Sequence, residues 1–241
     1  MNEKAKYKAF PSLSPYLNTD RYKNPKEDHK FILTKLQEIY EPESILNVCD
    51  LGCGNGDLLY LIHQHFSNWN LTGYDFTKEF IDFAKSQDNL KDINFFQKDL
   101  FQVSQKFDLV LADSVTQIFP DIEKTLSKYL EICNEKGYIF TTGRFNKFDI
   151  EVRLQYCDNS NSETEGVWRE DWSQHSRSFI RKLFLDKVSH LEFTDVIMNK
   201  DLKYQSNMPI NQWTFRDSEG KNIITNGTNL ILNKTLLTIQ K

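Results

Sequence analysis

Apolar positions along the chain alternate between two periods. Phe31, Ile32, Leu36 and Ile39 fall on one stripe at helical spacing, which predicts a helix over Asp28–Tyr40 that Pro42 ends. From there short apolar runs and helical stripes take turns. The runs Ile45–Cys49, Asn70–Tyr74, Asn94–Phe96, Phe107–Leu111 and Gly137–Thr141 read as strands. The stripes in Asp57–Phe66, Lys78–Ser86 and Ile122–Cys133 read as helices. Strands and helices in this rhythm predict right-handed crossovers around a parallel sheet, with helices on both faces.

The rhythm breaks after Gly143. Residues 144–176 are polar and aromatic, with loop signals at Asn159–Asn161 and Glu163–Gly166. Arg177–Val188 reads as a helix and Phe193–Met198 as a strand. Trp213–Phe215 and Asn222–Thr225 flank an Asp217–Gly220 turn, which predicts a hairpin, and Leu236–Ile239 is the last strand. An antiparallel end on a mostly parallel sheet accommodates these strands. No repeat and no low-complexity linker interrupts the chain, so 1–241 reads as one domain. Its parts are an N-terminal arm and helix (1–43), a core (44–143), a lid (144–190) and C-terminal strands (191–241).

Composition narrows the partners. The 30 basic and 34 acidic residues leave a net charge of -4 and form no basic block, so a nucleic-acid partner is not expected. No apolar run is long enough to cross a bilayer, and Met1 to Lys8 lack a signal-peptide core, which points to the cytoplasm. Cys49, Cys53, Cys133 and Cys157 are then expected to be reduced. Cys49 and Cys53 have neither a second pair nor a nearby His, so no metal site is expected.

The densest chemical signal is Val48-Cys49-Asp50-Leu51-Gly52-Cys53-Gly54-Asn55-Gly56-Asp57, which leaves a predicted strand and enters a predicted helix. Glycine permits positive φ and lets a ligand approach the backbone closely. The spacing is G-x-G-x-G, not the G-x-G-x-x-G of dinucleotide sites, and Asp50 precedes it. A carboxylate there suits a cationic sulfonium with an amino-acid tail better than a pyrophosphate. Asp75, at the end of the second strand, can accept both hydrogen bonds of a ribose diol; it can also cap the next helix. Asp99 follows the third strand, placed for an adenine amino group or for an ordinary turn.

Together these residues resemble the class I methyltransferases that bind S-adenosylmethionine. The family's glycine motif matches Asp50 to Gly56, its ribose acid Asp75 and its adenine-side acid Asp99. Its fourth-strand motif matches Phe107 to Ser114 and its fifth strand Gly137 to Phe140. The resemblance spans roughly residues 45–142. It implies a doubly wound α/β fold with a seven-stranded sheet, the last strand antiparallel and a lid inserted after strand five. It implies S-adenosylmethionine as cofactor, S-adenosylhomocysteine as product, and a cofactor site of Asp50, Gly52, Cys53, Gly54, Asn55, Gly56, Asp75, Phe76, Lys98, Asp99, Leu100, Asp113 and Ser114. Read from the residues themselves, Tyr16, Arg21 and Tyr22 of the arm either close over the cofactor, with Arg21 pairing with its carboxylate, or pack the arm on the sheet. The C-terminal texture also resembles methyltransferases of bacterial surface-polysaccharide (capsule) pathways.

Absences bear on the acceptor. After the fourth strand stands Asp113-Ser114-Val115-Thr116, with no Asp/Asn-Pro-Pro-Tyr string, and the chain has no Pro-Cys dipeptide; both count against base methylation. A small-molecule acceptor, methylated on O or N, is the leading reading. A protein or RNA acceptor, or a non-catalytic binding module, are the alternatives. Asp113, Ser114 and Gln117 are expected beside the transferring methyl, with loop capping as the alternative, and Arg144 suits either a carboxylate or phosphate on the acceptor or a surface ion pair. His175 is the first candidate for a general base, its alternative being a structural role.

Overall fold

The computed structural model describes residues 17, 19–160, 162, 165–170, 172–197, 201–204 and 211–241. A short helix α1 (Asp20–Lys23) and the longer α2 (Glu27–Ile39) precede the sheet. Then come β1 (Asn47–Leu51), α3 (Asp57–His63), β2 (Asn70–Asp75), α4 (Lys78–Lys85), β3 (Asn94–Gln97), β4 (Phe107–Asp113), α5 (Ile122–Ile132) and β5 (Cys133–Gly143). The lid carries β6 (Phe145–Asn146), β7 (Gln155–Cys157), β8 (Trp168–Glu170) and β9 (His175–Ser176). After it follow α6 (Arg177–Phe184), β10 (His190–Asp195), β11 (Trp213–Arg216), β12 (Asn222–Thr225) and β13 (Thr235–Gln240).

Seven strands form one sheet in the order β3-β2-β1-β4-β5-β13-β10. β1 pairs in parallel with β2 and β4, β2 with β3, and β4 with β5. β13 alone runs antiparallel, between β5 and β10. The doubly wound, mostly parallel architecture expected from the sequence is present.

The apolar runs explain this order. In β4, Leu109 and Leu111 face one layer, while Val110 and Ala112 face the other. A strand buried on both faces must be apolar throughout, which is the signature of a central parallel strand. On the first face α2, α3 and α4 contribute Leu36, Leu59 and Ile81. On the second, α5 and α6 contribute Leu126, Ile180 and Phe184. Each such side chain contributes about 1.5–3 kcal/mol when fully buried. α6, reckoned with the lid from sequence, is therefore part of a helical layer.

Two boundaries differ from expectation. β5 begins at Cys133, not Gly137, because a register irregularity between Phe107 and Leu109 lets its first residue pair with β4. The β11–β12 hairpin does not join the main sheet but forms a two-stranded sheet of its own. Phe215 and Arg216 in it are exposed, whereas β13 presents Leu236, Leu237 and Ile239, all fully buried. β13 has apolar residues for both layers, so it takes an inner place. Met198, placed in a strand from sequence, lies outside the described residues. Among the described residues no helix is long and apolar enough to cross a membrane.

Candidate active site

The strand order reverses between β1 and β4, and loops leaving the carboxyl ends of adjacent strands part there to open a crevice. The glycine turn after β1 lies at this point. Its backbone folds onto β2: Gly52 N donates to Tyr74 O at 2.7 Å and Cys53 N to the same oxygen at 3.1 Å. Gly52 stands at φ +74°, and a Cβ on it would overlap a γ-methyl of Val115. Gly54, at φ +54°, has open space where its Cβ would be, the room a ligand needs to lie on the backbone. Gly52→Ala is therefore expected to lower both thermal stability and cofactor affinity, the left-handed conformation alone costing about 1–2 kcal/mol. Gly54→Ala should lower affinity more than stability, and calorimetry beside thermal unfolding separates the two.

Asp75 binds the turn to β2. Its Oδ2 accepts Gly54 N at 3.0 Å and its Oδ1 accepts Thr77 N at 2.8 Å. Burial raises its pKa against these hydrogen bonds. A carboxylate oxygen takes two hydrogen bonds, so each keeps capacity for a diol. Asp99 caps the turn Leu100–Gln102 by accepting Phe101 N at 2.9 Å, which realises the turn role. Lys98 N donates to Asp75 O at 2.9 Å, Leu100 is buried and Phe76 is exposed at the end of β2. Cys53, Asn55 and Gly56 are buried in the turn itself. On α1, Arg21 is exposed; it is Tyr22 that reaches the glycine turn, donating to Asn55 O at 2.9 Å. Tyr16 lies outside the described residues.

Beside the turn lies a buried charged cluster that sequence reasoning did not assemble. Asp113 Oδ2 meets His29 Nε2 at 3.1 Å, and Lys26 approaches the same carboxylate at 4.0 Å. Lys234 Nζ donates to Ser114 Oγ at 2.6 Å and pairs with Asp28. Burial pushes the Asp113 carboxyl up, yet Lys234, His29 and Lys26 hold it well below the usual carboxylate range. Asp50 is in the opposite state. Burial and the neighbouring Asp113 push its pKa up to about 7, His29 opposing, and its Oδ1 has no hydrogen-bond partner. Asp28, His29 and Asp113 each bring one ligand-type atom within 4.8 Å of the others, a convergence the cysteine argument against a metal did not address. The Lys234 ammonium already serves as a cation on Asp28.

A signal for part of this was in the helix. His29, Ile32, Leu33 and Leu36 stand at i, i+3, i+4 and i+7, so His29 occupies an apolar-stripe position. A polar residue on a buried stripe needs a polar partner, which here is Asp113. Lys234 carried no local signal.

The lid side is different. Arg144 is buried and its guanidinium stacks on Trp172, 3.9 Å from the ring centre. Gln117 is buried, its backbone oxygen accepts Ser173 N at 2.8 Å, and its side-chain oxygen has no partner. His175 is buried, with Nδ1 2.9 Å from a Glu151 oxygen and Nε2 3.0 Å from Phe119 O. Both partners only accept, so filling both bonds takes both ring protons and leaves no lone pair for a substrate. In this geometry His175 clasps the lid, the structural alternative to its candidacy as base.

The cofactor implied by the sequence can be tested on these residues. The open backbone at Gly54, the spare acceptor capacity of Asp75 and the unpartnered Asp50 oxygen fit a ribose and a cationic centre. A dinucleotide pyrophosphate would face the Asp50 carboxyl instead.

Comparison with known proteins agrees. The methyltransferase domain family matches over residues 42–202. The chain is 26% identical over 180 residues to the malonyl-[acyl-carrier protein] O-methyltransferase of Bacillus anthracis, covering 73% of this chain and 65% of that one. It is 26% identical over 148 residues to the trans-aconitate 2-methyltransferase of Deinococcus radiodurans, covering 61% and 57%. The chain thus spans less than two thirds of the length of either relative. Its fold matches the YcgJ protein of Bacillus subtilis, with a TM-score of 0.58, 14% identity and coverage of 88% and 99%. It also matches the magnesium protoporphyrin IX methyltransferase of Synechocystis with bound S-adenosylhomocysteine, with a TM-score of 0.54, 14% identity and coverage of 89% and 82%. The chain belongs to the methyltransferase-domain family.

Proposed function

We propose that the protein methylates an oxygen or nitrogen atom of a small molecule. The observation that carries this reading is the pairing, at one switch point, of an Asp75-clamped glycine turn with the buried Asp50 carboxylate, whose Oδ1 has no hydrogen-bond partner. The cofactor, when bound, supplies an electrophilic methyl group on a sulfonium. The residues do the rest by position. Asp75 holds a ribose, the Asp99 side an adenine, and Asp50 faces positive charge. Gly52 to Gly56, Phe76, Lys98 and Leu100 line the remainder, and Arg21 is assigned to the cofactor carboxylate. The crevice holds the acceptor in line, which supplies much of the rate of a displacement. Arg144, set on Trp172, is the group to take an anionic part of the acceptor. The lid, clasped through His175 and Glu151, excludes water.

The Bacillus anthracis relative is named for O-methylation, which supports oxygen as the first atom to test. Sugar nucleotides and phosphorylated precursors of a surface polysaccharide are the first acceptors to screen, because the C-terminal texture resembles enzymes of those pathways. The primary experiment is calorimetric titration with S-adenosylhomocysteine, run beside NAD. Micromolar binding of the first and none of the second is expected. The reverse, or no binding by folded protein, refutes the proposal.

A further inference from the structure

We propose that His29 is the general base for a hydroxyl acceptor, held for that task by Asp113, with Nδ1 as the atom that takes the proton. This rests on the methyl-transfer reading above and names its acceptor class. His29 is 1% exposed and comes from α2, outside every motif of the sheet. Its Nε2 meets the Asp113 carboxylate at 3.1 Å, and a carboxylate only accepts, so the neutral ring carries its proton on Nε2. The lone pair is then on Nδ1, which is buried and has no hydrogen-bond partner. A buried polar atom without a partner carries an energetic cost that a ligand can relieve. Asp113 closes β4, which pairs with β1 where the strand order reverses, so the ring it holds stands at the switch point.

The step balances. The acceptor oxygen forms a bond to the methyl carbon as the sulfur–carbon bond breaks, the bonding pair staying on sulfur. The hydroxyl proton passes to Nδ1 and leaves later to water. The imidazolium is stabilised by Asp113, which acts as a positioning residue. The charged groups that face this cluster are Asp28 from α2, Lys26 just ahead of it, Asp113 from β4, Asp50 from β1 and Lys234 ahead of β13, with Asp57 of α3 beside Lys26. A bound carboxylate acceptor is already the nucleophile and needs no base, so the two acceptor classes separate in the test.

The test uses the full chain, wild type and His29→Gln, whose amide can keep the Asp113 hydrogen bond while removing Nδ1. Probes are UDP-glucose, glycerol 3-phosphate and catechol as hydroxyl acceptors and trans-aconitate as a carboxylate. Wild type is expected to methylate a hydroxyl probe, and His29→Gln to lose about 10²–10⁴-fold in turnover. The acidic limb of its pH profile should vanish while affinity for S-adenosylhomocysteine stays within threefold. Imidazole ¹H–¹⁵N correlations in the S-adenosylhomocysteine complex should place the proton on Nε2, and Asp113→Asn should disturb that tautomer. Undiminished turnover in His29→Gln, loss of cofactor affinity with it, an Nδ1-protonated neutral ring, or methylation of no hydroxyl probe overturns the assignment. Failure of wild type to bind S-adenosylhomocysteine refutes the methyl-transfer reading itself.

Discussion

Asp75→Ala is expected to weaken S-adenosylhomocysteine binding by roughly 10²–10⁴-fold, the largest loss of any single substitution in the cofactor site. Two charge-assisted hydrogen bonds to a ribose diol contribute about 1.5–3 kcal/mol each, and about 1.4 kcal/mol is tenfold in affinity. The substitution also strips Gly54 N and Thr77 N of their acceptor. The glycine turn then loses its tie to β2 as well as the ligand. Asp75→Asn keeps one acceptor oxygen and should fall between wild type and alanine. Asp99→Ala should cost less, because Asp99 stands half-buried and caps only its own turn through Phe101 N, whereas Asp75 also holds the glycine turn. Calorimetry on the three variants ranks them. Asp75→Ala within threefold of wild type would remove the ribose assignment.

What the sequence made legible follows from the range of each interaction. The strands β1, β2 and β4 are buried on both faces, so their apolar runs identify them without knowledge of their neighbours. The glycine turn is local: Asp50 to Gly56 fixes its own geometry, and Asp75 lies one crossover away. The charged cluster is not local. His29 and Asp113 are 84 residues apart, Ser114 and Lys234 are 120 apart, and Asp28 and Lys234 are 206 apart. No window of sequence contains such a pair. The only trace was a histidine on an apolar stripe of α2. His175 was conspicuous for the opposite reason. It sits in a polar stretch that looks exposed, yet the parallel β6–β9 pairing draws it under the lid, where Glu151 and Phe119 O take both nitrogens. The hairpin was legible as a hairpin, but its place was not, since that depended on the burial of β13.

Asp50→Asn is expected to stabilise the protein without cofactor near pH 7.5 and to flatten its stability between about pH 4 and pH 7. The Asp50 carboxyl is raised to about 7 by burial and by Asp113. Below about pH 4 it is protonated in both the folded and unfolded chain and makes no difference. Between those values the unfolded chain gives up the proton and the folded chain retains it. Stability therefore falls as pH rises, by up to about 1.4 kcal/mol per pH unit, and levels above about 7. Asp75, also raised by burial, adds to the same slope, so the variant should reduce it without abolishing it. Asp113 is lowered and acts in a separate window, its stabilisation being lost only as pH falls below the usual carboxylate range. Urea unfolding at pH 5 and pH 7.5 measures the difference, and an unchanged slope in Asp50→Asn would count against the raised carboxyl. The same group sets cofactor affinity with the opposite sign. A cation is held by the ionised form, so S-adenosylmethionine binding should strengthen by up to tenfold per pH unit as pH approaches 7 and then level. In Asp50→Asn that rise should disappear and affinity at pH 8 should drop. A buried carboxylate with an unpartnered oxygen destabilises the empty fold and is relieved by positive charge, so the residue that costs stability without ligand is the one that favours the sulfonium over its neutral product.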